Sequence, residues 1–348
     1  MSSVHGHSVQ RARAALVSVS AIVAIVACLV GAPSFAQQSA AATRWLTIAT
    51  LAPAGSQASV ALDGMNRELR RRTNGRIAIR WYMGGVQGDE AEVVRKIRSG
   101  RLDGGALSAT GLQHMHRPVL AFQLPGMFSD PESFVRAYTA LAPTLEAGFT
   151  RDGFSLVHLS PAPGPRMFST RAIRVPEDLR AMHPWQWPDD PILPAMYQEA
   201  GVAGVRLAVS EVLMGLQSRR IDTVFAPPLA AIALQWSSHV SFMSERPASG
   251  SLNALVLSRS SADSLAVADR ATLQAVVAQA VTIYRPAFAR AEEASLRSLQ
   301  SRGVATVTLT HAERQRWLAL FASTRARLSR TLCDPAWMAR VQASGAAP

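Results

Sequence analysis

Lysine is almost absent from this sequence, which carries Lys96 as its single lysine. The 36 Lys and Arg residues are therefore nearly all arginine, and against 24 Asp and Glu residues they give a formal net charge of +12. Apart from the run at residues 70–72 the arginines are scattered, and no basic run is interleaved with aromatic residues. Because nucleic-acid-binding proteins cluster basic residues on one face, the sequence argues against nucleic acid as a partner.

Cysteine is also scarce, with Cys28 and Cys333 as the two in the chain. If residues 1–36 are removed on export, as argued below, one cysteine remains and no internal disulfide can form. A packed core must then hold the fold by itself. The 348 residues are 48% hydrophobic and 17% charged, so such a core is available, and the length suggests two domains.

Long apolar runs are missing after the N-terminus, so no later segment is expected to span a bilayer. At the N-terminus, Arg11 and Arg13 precede a charge-free apolar run over residues 14–30, and residues 32–36 (APSFA) offer a cleavage site. This pattern is typical of a secretory signal peptide over residues 1–36, followed by a linker at 37–43. It predicts a periplasmic protein that is not an integral membrane protein after cleavage.

A lipoprotein is the alternative for the same segment, because residues 25–28 (IVAC) resemble a lipoprotein box with Cys28 as the lipidated residue. We favour cleavage after Ala36, since the residues after Cys28 remain apolar up to a good second site.

Strand and helix patterns alternate along the first third of the mature chain. Residues 45–50, 77–81 and 102–107 have strand character, and apolar residues at helical spacing lie between them. The β-α-β-α-β order predicts a parallel-rich sheet with helices on both faces. Further on, a long helix is expected over 269–302 with a kink at Pro286, and Thr310 and Glu313 form a capping box for a terminal helix.

A proline-rich stretch at residues 163–191 brings together Arg166, Trp185 and Trp187. The two tryptophans alternate, which places both indoles on one face of an extended segment. One cation beside two flat apolar rings suits a ligand pocket, which is mostly apolar with few polar groups. The alternative is a buried tryptophan pair under a proline-rich loop, with Arg166 in an ion pair or at the surface.

No residue pattern indicates catalysis, a metal or a cofactor. His114 and His116 alternate as metal ligands do, but a site needs three or four ligands and no acidic or Cys partner is near in sequence. Asp189 and Asp190 are interpreted as a cap for the helix after Pro191. No phosphate-binding loop, dinucleotide-binding pattern or nucleophile elbow is present.

Six short motifs, taken in order, resemble the DctP-type solute-binding proteins of tripartite ATP-independent periplasmic (TRAP) transporters. They are residues 75–77 (GRI), 83–89 (MGGVQGD), 99–104 (SGRLDG), 122–125 (FQLP), 175–180 (VPEDLR) and 210–217 (SEVLMGLQ). The resemblance implies an α/β, two-lobed fold with a ligand cleft between the lobes and a long shared helix. We expect residues 44–162 with 250–288 in lobe I, 163–249 with 289–340 in lobe II, and a flexible tail at 341–348.

The resemblance also implies a pocket, and this sequence departs from it. The arginine that usually pairs with the ligand carboxylate is replaced by Trp185, a second family arginine matches Arg166, and a frequent pocket asparagine falls on Ala226. Trp cannot replace a bidentate guanidinium, so a ligand less polar than a dicarboxylate is expected. The expected ligand-binding residues are Thr50, Arg166, Trp185, Trp187, Phe225, Ala226, Pro227 and Trp236.

The function implied is that of a receptor without enzyme activity, which passes a small organic ligand to the permease subunits of a TRAP transporter. Two alternatives remain: a carrier of lipids or apolar ligands with a different protein partner, and an exported enzyme on the same scaffold.

Overall fold

A computed structural model describes residues 42–329, 331–332 and 334–346 of the chain. The predicted signal peptide, Cys28 and Cys333 lie outside these residues. Within the described part, no helix is both long and apolar enough to cross a membrane.

The described chain alternates strands and helices. The strands are β1 (Arg44–Thr50), β2 (Ile77–Tyr82), β3 (Gly104–Ser108), β4 (Phe154–Ala162), β5 (Arg166–Ser169), β6 (Trp185–Gln186), β7 (Val205–Arg206), β8 (Thr223–Ala226), β9 (Phe242–Ser244), β10 (Ser251–Ser258) and β11 (Ala305–Val307). The helices are α1 (Gln57–Arg72), α2 (Glu90–Arg98), α3 (Ala109–Leu112), α4 (Pro131–Arg151), α5 (Ile192–Ala200), α6 (Val212–Gln217), α7 (Pro228–Ala233), α8 (Arg259–Asp263), α9 (Val267–Ser301), α10 (His311–Leu328) and α11 (Pro335–Gly345). Short 3-10 helices cover Arg117–Gln123, Pro176–Ala181, Val209–Glu211 and Trp236–His239.

Two mixed sheets organise the fold. The five-stranded sheet has the order β2-β1-β3-β10-β4, with β1, β2 and β3 parallel and β10 antiparallel to both of its neighbours. The four-stranded sheet has the order β11-β9-β5-β8, and the β6–β7 pair adjoins β8 through a bridge between Pro184 and Thr223. We call each sheet with its packed helices lobe I and lobe II, respectively. This α/β architecture confirms the predicted fold class.

Three segments connect the sheets. The short links from β4 to β5 and from β9 to β10 run side by side, and the amide of Ala248 donates to the carbonyl of Pro165 at 2.9 Å. A Cβ on Gly164 would overlap the carbonyl oxygen of Ser249, so glycine permits this approach of two backbones. The third segment is α9, whose Leu273 packs in the core of lobe I and whose Leu299 packs in that of lobe II.

Side chains cap the first turns of several helices by accepting hydrogen bonds from backbone amides. Ser56 accepts from the amide of Ser59 at the start of α1, and Thr310 and Glu313 form the expected capping box of α10. Asp89 caps α2 through the amide of Glu90 at 3.0 Å, and Glu92 in the same first turn pairs with Arg95.

The C-terminal part of the chain differs from our expectation. Residues 341–345, which we expected in a flexible tail, belong to α11, and Val341 is fully buried in the core of lobe I. The indole N–H of Trp337 donates to the carbonyl of Pro118 at 2.9 Å, so this helix packs on lobe I, although residues up to 340 were expected in lobe II. Helix α4 continues to Arg151, because Leu145 and Phe149 extend its buried face.

Candidate ligand-binding site

A cleft of about 860 Å³ lies where the two lobes face each other. Its volume is within the range of small-molecule pockets, which is roughly 300–1,000 Å³. One side comes from the strand ends of the five-stranded sheet, including Thr50 and Ser108, and the other side from β6, β8 and α7, including Trp185 and Ala226. Helix α9 closes the cleft along a stripe at helical spacing: Val277, Val281, Tyr284, Arg285, Phe288 and Glu292.

The lobe II side of the cleft is a wall of aromatic rings. Trp185 and Trp187 stack with ring centroids 6.0 Å apart and planes 26° from parallel, and Trp236 packs edge-on against Trp185 at 5.4 Å. Offset-stacked and edge-to-face arrangements are the favourable geometries for aromatic pairs. We call these three side chains the tryptophan wall. The alternation of Trp185 and Trp187 in the sequence does place both indoles together.

Two indole donors of this wall are already used by the protein. The Nε1 of Trp185 donates to the carbonyl of Leu207 at 2.8 Å, within lobe II, and Trp185 is only 3% exposed. The Nε1 of Trp187 donates to Oδ2 of Asp89 at 2.7 Å. Neither N–H group is therefore free for a ligand, and the ring surface that this pair offers to the cleft comes mainly from the half-buried Trp187.

Asp89 joins the two lobes. Its Oδ1 caps α2 in lobe I, while Oδ2 accepts from Trp187 Nε1 and from the amide of Val209 at 3.2 Å, both in lobe II. We call this set of contacts the Asp89 clasp. Burial raises the pKa of Asp89, whereas the hydrogen bonds from Val209 and Trp187 act in the opposite direction. A single carboxylate thus links the cap of one lobe to the tryptophan wall of the other.

The lobe I side carries a strip of polar side chains. Asn253 on β10 lies opposite Ser108 on β3 and opposite Ser160 on β4, and His158 follows on the same face of β4. All four line the cleft. Directly opposed residues in antiparallel strands have Cβ atoms roughly 5 Å apart, so the side chains form a continuous row. We call this row the polar strip.

Four charged side chains also line the cleft. Glu90 accepts from the amide of Ser108 at 2.8 Å, Asp190 from that of Ile192 at 2.7 Å and Glu292 from that of Leu229 at 2.9 Å. Burial raises the pKa of Glu90 to about 7 and that of Asp190 to about 6, and it also raises that of Glu292. Arg285 is the fourth charged group and the one arginine among the described lining residues.

Arg166 does not lie where we expected it. Its Nη1 donates to the carbonyls of Ser244 at 2.9 Å and of Glu245, which fixes the guanidinium to the link that follows β9. Burial lowers the pKa of Arg166, while Glu292 and Glu245 oppose this effect. The residue is absent from the described lining of the cleft, and it makes no carboxylate ion pair among the described residues.

The other seven expected residues all line the cleft: Thr50, Trp185, Trp187, Phe225, Ala226, Pro227 and Trp236. Sequence reasoning missed the polar strip and Arg285. The strip depends on which residues of β3, β4 and β10 are paired, and local sequence does not show this. The helical spacing of 277, 281, 284 and 288 within α9 was a usable signal for the third side.

One member of each of the histidine and aspartate pairs considered in the sequence has a structural partner, whereas the Nε2 of His114 is buried without one in the described structure. His116 Nδ1 lies 2.7 Å from Oδ2 of Asp152, and Asp190 caps α5, as the sequence suggested. In the part of the chain that the structure describes, no group of three or more His, Cys, Asp or Glu side chains could hold a metal ion.

Comparison with known proteins identifies the family to which this sequence and fold are similar. The family model of bacterial extracellular solute-binding proteins, family 7 (DctP), matches residues 48–329. No curated protein matches the chain in sequence. The match to the family model confirms the resemblance that we drew from six motifs.

Solved structures share the fold at low sequence identity. A TRAP periplasmic solute-binding protein of Shewanella oneidensis with bound succinate matches with a TM-score of 0.80 and 15% identity, over 88% of this chain and 100% of that chain. One from Xanthobacter autotrophicus Py2 with bound β-D-galacturonate gives 0.77 and 19%, over 87% and 100%. An extracytoplasmic solute receptor of Bordetella pertussis that binds pyroglutamic acid gives 0.77 and 16%, over 87% and 99%. The protein belongs to the bacterial extracellular solute-binding protein family 7, the DctP family of TRAP transporter receptors.

Proposed function

We propose that this protein is a periplasmic receptor that captures a small organic ligand between its two lobes and delivers it to the permease subunits of a TRAP transporter. The ligand in this proposal is less polar than a dicarboxylate. The observation that carries the proposal is the tryptophan wall, because it puts packed indole rings, of which Trp187 is the partly exposed one, at the position where the family resemblance implies a carboxylate-binding arginine.

The physical argument concerns what Trp185 can do in that position. Its single donor is bonded to Leu207, so it cannot supply a hydrogen bond to a carboxylate. Burying a second ligand carboxylate against such a wall without a cation would cost several kcal/mol. An apolar or aromatic part of a ligand fits there instead, since ring surface is the dominant contact that aromatic side chains provide.

Capture also requires that the lobes close on the ligand. The Asp89 clasp is a contact that exists only while the lobes are together, and the two side-by-side links with α9 are the segments about which they can move. A ligand shifts such an equilibrium by binding the closed state more tightly than the open one.

Native mass spectrometry of the purified protein, followed by denaturation and analysis of the released small molecule, tests the receptor role. We expect one bound organic compound per chain, recovered chemically unchanged after prolonged incubation, and small-angle scattering should show compaction when it is added back. Conversion of the compound by the protein, or an unchanged scattering profile at saturation, would contradict the proposal.

A further inference from the structure

Arg285 stands apart from the other charged groups of the cleft. It projects from the lining face of α9 and is exposed, and no hydrogen bond or ion pair engages its guanidinium within the described residues. No lysine and no second arginine belongs to the described lining. The cleft of this strongly basic protein therefore contains one cationic side chain, and its donors are available to a ligand.

His158 of the polar strip lines the same cleft as Arg285. Its Nε2 is buried and has no partner in the described structure, although a buried polar atom normally has one. Burial lowers the pKa of His158, and the charge of Arg285 lowers it further, so the ring is neutral at pH 7. Ser160 and Asn253 continue the strip from His158 and add hydroxyl and amide groups to the cleft that Arg285 lines.

The acidic lining residues cannot take part in the same subsite. Glu90, Asp190 and Glu292 are each held by a backbone amide and would repel a ligand carboxylate where they are ionised. The tryptophan wall offers no cation either. Electrostatics thus leave one place in the cleft where a negative charge gains rather than loses energy, and that place is beside Arg285.

We infer that the ligand is a monocarboxylic acid with an apolar tail, whose carboxylate binds Arg285 on the polar side of the cleft while its tail lies against the tryptophan wall. This inference rests on the proposed receptor function. The proposed orientation of the ligand is the reverse of the one that the family resemblance implies, because the acid group is bound at lobe I and α9 rather than by an arginine of lobe II.

Isothermal titration calorimetry with two matched pairs tests the inference: 4-phenylbutyrate against 4-phenylbutanamide, and octanoate against octanamide. Each amide keeps the tail and removes the charge, and the two tails separate aromatic from alkyl ligands. Arg285→Gln is the test variant. Arg290→Gln is its control, because Arg290 is an exposed arginine of the same helix that lies outside the lining stripe.

In the parent protein we expect at least one acid to bind about tenfold more tightly than its amide, the effect of one charge-assisted hydrogen bond that keeps some contact with water. Arg285→Gln should remove this preference while amide affinity changes by less than about twofold, and Arg290→Gln should leave both affinities unchanged.

Equal binding of acid and amide, equal losses of both in Arg285→Gln, or no binding of either acid would each overturn the inference. The receptor role is judged separately, since a compound released from the purified protein can be identified without any of these probes.

Discussion

The two sides of the cleft use opposite chemistry, although both are built from strand ends and the segments that follow them. Lobe I presents the polar strip, in which Asn253 lies between two serines. Lobe II presents the tryptophan wall, in which two indole donors are already bonded to protein oxygens. The polar strip can therefore orient a ligand by hydrogen bonds, whereas Trp185 and Trp187 can contribute contact area but no free N–H group.

This difference shows why the loss of one arginine changes more than one contact. With Trp185 in lobe II, the cation of the cleft belongs to α9, and α9 packs on both lobes. A ligand held at Arg285 and at the tryptophan wall touches the shared helix and lobe II together. Closure of the lobes would then depend on a ligand long enough to reach both.

The largest expected effect comes from removing the centre of the tryptophan wall. Trp185→Ala should lower the free energy of unfolding by about 3–5 kcal/mol, the usual cost of truncating a buried large aromatic residue. Trp185 is 3% exposed, whereas Trp45 is 41% exposed, so Trp45→Ala serves as the control and should cost less than about 1 kcal/mol. Urea denaturation measures both. Similar losses in the two variants would mean that the wall is not a packed element of lobe II.

The sequence predicted the wall better than the strip for a physical reason. Alternation within three residues places Trp185 and Trp187 side by side, so the local pattern is sufficient. The strip needs β3, β10 and β4 to be neighbours, and these strands are separated by long stretches of chain, so no local pattern records the pairing. Arg166 shows a different limit: the residue was identified, but the carbonyls of Ser244 and Glu245 at the end of β9 determine where its guanidinium lies.

On the lobe I side of the cleft, the buried carboxyl of Glu90 should make the free energy of unfolding depend on pH. The residue is 4% exposed, and burial raises its pKa from 4.5 to about 7. A carboxyl with a raised pKa binds its proton more tightly in the folded state, so stability is greatest at low pH and falls as pH rises from about 4.5 to about 7. The fall attributable to Glu90 should be about 3 kcal/mol.

Urea denaturation at pH 5 and pH 8 checks this in the parent and in Glu90→Gln. The parent should lose more stability than the variant between the two pH values. Asp190 shifts in the same direction in both proteins, so the difference between them isolates Glu90. Equal losses would show that Glu90 stays ionised in the folded protein.

Phenylalanine substitutions at the two stacked tryptophans separate closure from stability. Trp187→Phe keeps a ring but removes the donor of the Asp89 clasp, so the closed state and ligand affinity should weaken by about tenfold or more. Trp185→Phe removes the bond to Leu207 within lobe II and should lower unfolding stability instead. Asp89→Asn is a third variant, which weakens the clasp from the lobe I side. Its control is Asp63→Asn, which removes a carboxylate from the exposed side of α1. If Trp187→Phe left both affinity and ligand-induced compaction unchanged, the clasp would have no part in closure.

The smallest effect on binding is expected at Arg166. Because its guanidinium is bonded to the carbonyls of Ser244 and Glu245 and lies outside the cleft lining, Arg166→Ala should change the affinity for the compound released from the purified protein by less than about twofold. The same change leaves two carbonyls without their donor and should lower unfolding stability by about 1–2 kcal/mol. Calorimetry and urea denaturation on one preparation give both quantities. A loss of affinity of tenfold or more with unchanged stability would place the acid group of the ligand at lobe II, in which case the assignment of that role to Arg285 would be wrong.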